Sequence, residues 1–193
     1  MNLTGLQWLE VSAVVLAILY LLLAIRQNIG CWAAAAASTL LYLYIMYRAG
    51  LYMESALQLF YLAMAAYGWY EWRYGGAGHG ELKVSTWPWQ RHLIALAAVA
   101  LLVLVSGGLL TRYTAAALPF ADSFTTWGAV VATFMVARKI LENWLYWFVI
   151  DGVSIGLYLS RELYFTAALF GVYLVMIVFG YRAWRASMRE DAA

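Results

Sequence analysis

The sequence predicts an all-α integral membrane protein with seven transmembrane helices in a parallel three-one-three repeat, and three observations predict it. Hydrophobic residues make up 66% of the 193-residue chain and charged residues 11%, with a mean hydropathy of +0.75. No water-soluble packing hides so large an apolar fraction. The apolar residues gather into seven runs near the roughly 20 residues that cross a hydrocarbon core. The chain also matches itself at an offset of 112 residues.

Arg, Glu, Gly and Pro interrupt the apolar sequence and set the expected spans. These are Leu6–Ile25, Gly30–Tyr47, Leu51–Trp72, Arg91–Leu110, Asp122–Val136, Ile140–Leu159 and Leu163–Tyr181. The fifth is the shortest. Met1 to Leu6 lacks the basic stretch of a cleavable signal, and the first run is as long as the others, so it is expected to stay in the mature protein. The whole chain, residues 1–193, reads as one transporter domain. Repeat one covers about 6–73, a linker helix about 91–110 and repeat two about 122–185.

Orientation follows from the basic residues. Arg26, Arg73, Lys83, Arg91, Arg138, Lys139, Arg182, Arg185 and Arg189 fall on one side, and Arg48, Arg112 and Arg161 on the other. The positive-inside rule makes the first side cytoplasmic, with the N-terminus outside and the C-terminus inside. The longest loops are Arg73–Gln90 and Thr111–Phe120. The first, "RYGGAGHGELKVSTWPWQ", is glycine-rich and polar, a flexible connector by composition with no site assigned to it. A net charge of +2 is too small to suggest nucleic acid, and the one cysteine, Cys31, has no internal disulfide partner.

The 112-residue offset aligns 26–73 with 138–185 without a gap. Arg26, Trp32, Leu51, Tyr52, Ala56, Leu57, Tyr61, Leu62, Met64, Gly68, Trp72 and Arg73 meet Arg138, Trp144, Leu163, Tyr164, Ala168, Leu169, Tyr173, Leu174, Met176, Gly180, Trp184 and Arg185. The tryptophan and arginine pairs carry the most weight in so apolar a chain. A shift of four spans keeps helix direction, so the repeat is parallel. In transporters such repeats hold substrate between the halves near the midplane.

Asp151 falls near the middle of the sixth span, where an ionised carboxylate costs on the order of 2.5–3.5 kcal/mol. On an α-helix Trp144, Trp147, Asp151, Ser154 and Tyr158 share one face. The third span carries a second stripe, Glu54, Gln58 and Tyr61, in which Gln58 offers both a donor and an acceptor. Ser38 and Thr39 end the narrow Ala33–Ala37 segment and are candidate lining residues. Aromatic faces and a carboxylate together suit a flat organic cation.

Plainer roles exist for each. The tryptophans fit an interfacial belt, and Gln58 fits a hydrogen bond between helices. Glu142 and Asn143 fit a helix cap, and Glu54 and Glu10 fit solvated positions near the surface. Asp151 fits a structural partner of a buried Tyr or Arg, although no Arg or Lys lies at its depth. Enzyme chemistry finds no footing: His79 and His92 lack metal-ligand spacing, and HExxH, GxSxG and GxxxxGK[ST] patterns are absent. No catalytic residue, cofactor or metal is assigned. A scaffold or sensor subunit needs only tight packing and leaves Asp151 unexplained.

The tract "ENWLYWFVID", with "LYMESALQLFYLAMAAYGWYEWR" earlier, resembles the PnuC family of bacterial vitamin transporters, and the similarity runs over nearly the whole chain. YGWYxW at 67–72 and ENWLxW at 142–147 carry it. The resemblance implies a seven-helix core related to the SWEET sugar transporters, in the bacterial inner membrane. It implies facilitated diffusion of nicotinamide riboside, trapped afterwards by a cytoplasmic kinase, and it suggests a homotrimer. It also implies substrate contacts from a WxxWxxxN motif and a Gln of the third span, matched here by Trp144, Trp147 and Gln58. Asp151 stands where the pattern has Asn. An aspartate compensates the pyridinium of nicotinamide riboside or the thiazolium of thiamine, the substrate of the related PnuT group. Both substrates stay open, as do riboflavin and a proton role for Asp151.

Overall fold

The computed structural model describes residues 5–48, 52–113, 118–160 and 164–191. Leu51, Leu163 and Arg161 lie outside the described residues, as do the side chains of Tyr52, Glu54 and Ala56. The described chain forms α1 (Gly5–Ile25), α2 (Gly30–Arg48), α3 (Tyr52–Tyr74), α4 (Trp89–Tyr113), α5 (Pro119–Ala137), α6 (Asn143–Leu159) and α7 (Tyr164–Glu190). Each expected span is a helix. Four of them, α1, α4, α5 and α7, are long and apolar enough to cross a membrane by length and composition alone. The other three, α2, α3 and α6, mix in small, polar and aromatic residues.

The ends differ where local geometry outweighs hydropathy. Pro119 starts α5 early, as a proline suits a first helical turn, so α5 has 19 residues and is not the shortest. Ile140 to Glu142 are used in a turn, which leaves α6 with 17. Helix α7 continues past Tyr181 to Glu190 because no Gly or Pro stops it and Trp184 anchors it at 0% exposure.

Two compact units emerge, Met1–Lys83 and Val84–Ala193. In the first, α2 packs against α1 and α3. In the second, α4 packs on α5, α5 on α6 and α6 on α7.

Each unit contains the same lock. In the first, the Trp32 ring sits edge-on to Trp72, with centroids 5.4 Å apart at 84°, and a Cβ on Gly68 would collide with that ring. In the second, Trp144 and Trp184 are 5.4 Å apart at 89°, and Trp144 lies over Gly180. The indole nitrogens of Trp32 and Trp144 are both buried without a hydrogen-bond partner among the described residues.

The turn before each lock recurs as well. Gln27 and Lys139 adopt φ of 52° and 48°, the left-handed conformation that closes a helix. The amides of Gln27 and Asn28 donate to the carbonyls of Ala24 and Leu23, and those of Lys139 and Ile140 donate to Val136 and Met135. This is the same double closure at an offset of 112.

The turns then part company. Asn28 Oδ1 accepts the Gly30 amide at 2.8 Å and closes the first turn by itself. Ile140 has no such side chain, and its neighbours instead pair with the loop before α4: the Ser85 amide donates to the Lys139 carbonyl at 3.0 Å, and the Leu141 amide to the Ser85 carbonyl at 2.8 Å. The loop is therefore no free connector. Its first half returns to α3, with the Leu82 amide on the Trp72 carbonyl at 3.1 Å. Its second half is a strap along the α5–α6 turn, with Val84 buried.

Candidate functional site

Helix α6 presents the predicted stripe, and burial sorts its members. Asp151 and Ser154 are each 5% exposed, while Trp147 and Tyr158 are half-buried. The Ser154 hydroxyl donates to the Ile150 carbonyl at 2.9 Å, a back-bond within the helix. The Tyr158 ring lies 5.0 Å from Phe170 of α7, which in turn lies 5.4 Å from Tyr173. Asp151 forms no hydrogen bond or ion pair among the described residues. A buried carboxyl without a partner is costly unless something else meets it.

Trp144 does not belong with them. Its ring is 2% exposed and enclosed by Gly180 and Trp184, so the lock between α6 and α7 uses the surface that a ligand would need. A helical turn places Trp144 and Trp147 on one face, and the glycine on α7 separates their roles.

In the first unit, Ser38 is buried and its hydroxyl donates to the Ala13 carbonyl of α1 at 2.8 Å. It ties two helices together. Thr39, the other candidate hydroxyl of that segment, is 9% exposed. Counted from the locked tryptophan, Thr39 holds the place in α2 that Asp151 holds in α6. Gln58 and Tyr61 are half-buried on α3, with Tyr61 edge-on to Phe60 at 5.5 Å.

Glu142 precedes α6 but makes no side-chain cap. Its Oε2 accepts the Trp87 amide at 3.3 Å and so holds the strap. Asn143 is fully buried, with its side-chain nitrogen on the Ile140 carbonyl at 2.6 Å. A cavity in the second unit, about 210 Å³ among α4, α5 and α6, is lined by Leu96, Val99, Phe124, Val149, Ile150 and their neighbours. None of the stripe residues lines it. No cluster of His, Cys, Asp or Glu among the described residues is placed to hold a metal ion.

Residues 7–186, which span all seven helices, match the family model described as nicotinamide mononucleotide transporter. This chain belongs to that family. It is similar to the riboflavin/roseoflavin transporter RibM of Streptomyces davaonensis, 27% identical over 190 residues that cover 96% of this chain and 88% of the relative. It is also similar to the nicotinamide riboside transporter PnuC of Escherichia coli, 26% identical over 210 residues with the same shares. A crystal structure of the vitamin B3 transporter PnuC superposes with a TM-score of 0.73 at 25% identity, covering 95% of this chain and 83% of that one. Members of the nicotinamide mononucleotide transporter family are membrane transporters, and the chain is accordingly a multi-pass membrane transporter of the vitamin-carrying kind.

Proposed function

We propose that the chain carries nicotinamide riboside across the bacterial inner membrane by facilitated diffusion, with the vitamin's cationic ring received by Trp147 and Asp151. The carrying observation is Asp151: a carboxyl 5% exposed, four residues after Trp147 on the same helix, with no ion pair among the described residues. Aromatic faces attract cations by about 0.5–2 kcal/mol when desolvated, and a carboxylate adds charge compensation in a low dielectric. The name of the Escherichia coli relative supports nicotinamide riboside as that cation.

Ser154 and Tyr158 continue the same face of α6. The N-terminus is placed outside and the C-terminus in the cytoplasm. A cytoplasmic kinase then traps the vitamin, so carriage needs neither an ion gradient nor ATP.

Thiamine is the second reading, because its thiazolium satisfies the same carboxylate and Asp151 stands where the family pattern has Asn. Riboflavin, named for the Streptomyces relative, has an uncharged ring and leaves Asp151 without a partner. Calorimetry on the detergent-purified protein with the three vitamins separates these readings. Nicotinamide riboside is expected to bind most tightly, and Asp151→Asn to weaken it. Tighter thiamine binding that collapses in Asp151→Asn makes the chain a thiamine carrier. Binding of riboflavin alone, unchanged by the substitution, overturns the cation site.

A further inference from the structure

We infer that His92 of α4 and Tyr146 of α6 are a positioning pair that, with the strap Ser85–Trp87, sets the rate at which α6 moves its ligand face. The inference rests on the transport reading above.

The start of α6 is held at three successive points by elements outside its own repeat. Ser85 pairs with Lys139 and Leu141 in the turn before the helix. The Trp87 amide reaches the Glu142 carboxylate at 3.3 Å. One turn further on, His92 Nδ1 and the Tyr146 hydroxyl are 3.0 Å apart, with the rings at 5.8 Å. The Trp87 ring, 5.5 Å from His92, joins the strap to the same side chain.

The matching turn of the first repeat is built differently among the described residues. It closes on Asn28, and the positions matching Glu142 and Tyr146 are Gly30 and Ala34. The polar ties are therefore particular to the helix that carries Trp147 and Asp151. An apolar helix such as α4 needs no histidine to pack, and a half-buried imidazole matched to a phenol is a directional contact.

Direction is what α6 requires. A helix turns 100° per residue as one body, and Tyr146 directly precedes Trp147. Holding the phenol fixes the rotation of the indole and of the carboxyl five residues on. Parallel-repeat transporters work by moving one half against the other around the substrate, and ties that guide such a step govern its rate more than the affinity.

The test is vesicle uptake of nicotinamide riboside by the full chain, with hydrogen exchange on the same variants. His92→Ala and Tyr146→Phe are expected to lower the maximal rate at least threefold and to change the half-saturating concentration less than twofold. Amides 141–146 should lose protection about tenfold while α7 keeps its own. His92→Asn, whose amide reaches the place of Nδ1, should restore both readouts. Unchanged rate and protection in His92→Ala overturn the inference. So does a loss that follows the melting temperature and that His92→Asn does not repair, since the pair is then only structural. If the wild type carries none of the three vitamins, the transport reading fails. The exchange result then decides by itself whether the pair fixes α6.

Discussion

Trp144 lies directly over Gly180, so close that a Cβ on residue 180 would come within 2.5 Å of the ring. The matching pair, Trp32 and Gly68, makes the same contact in the other unit. Small residues let membrane helices approach closely, and packing replaces the hydrophobic effect as the force between them.

Gly180→Ala and Gly68→Ala should therefore each destabilise the protein by about 1–3 kcal/mol, the usual cost of overpacking. Gly171, where an added Cβ would meet nothing within 4 Å, is the control, and Gly171→Ala should be neutral or slightly stabilising through helix propensity. Thermal melting in detergent measures all three. Equal melting of Gly180→Ala and Gly171→Ala would show that the indole yields.

Asp151→Ala should weaken binding of nicotinamide riboside at least tenfold, and Glu142→Ala should leave affinity within twofold. Only the first residue sits on the ligand face, whereas Glu142 holds the strap. Equilibrium binding on both variants checks this, and equal, normal affinity would remove Asp151 from the site.

Trp147→Phe should keep part of the affinity and Trp147→Ala little, since a phenyl face retains some attraction for a cation. Trp144→Phe should do the reverse, lowering the melting temperature with affinity nearly unchanged. Loss of affinity in Trp144→Phe at constant stability would return that ring to the ligand.

Ser85→Pro removes the amide that donates to the Lys139 carbonyl, a bond worth about 1 kcal/mol net. Trypsin should then cut after Lys83 several-fold faster, because cleavage follows local opening. An unchanged cutting rate would mean the strap is held by Val84 and Trp87 instead.

Much of the fold is legible in the sequence, for identifiable reasons. Helix existence follows from runs of apolar residues, and Asp151 stands out because few carboxyls lie so deep in such a run. The repeat is legible because Trp and Arg are scarce enough to register when they recur together. The strap is hidden, since an isolated bridge at Ser85 has no periodicity and its loop is rich in glycine. The division between Trp144 and Trp147 is also hidden in their spacing. The one signal for it is that Gly68 and Gly180 repeat alongside Trp32 and Trp144, which marks those indoles as packed against glycine.

Each lock joins residues only about 40 positions apart, Trp32 to Trp72 and Trp144 to Trp184. Contacts so near in sequence close quickly, because little chain has to be looped to make them. The first three helices can thus complete their own core while the ribosome is still making the linker, leaving the second half to assemble after a partner that is already finished.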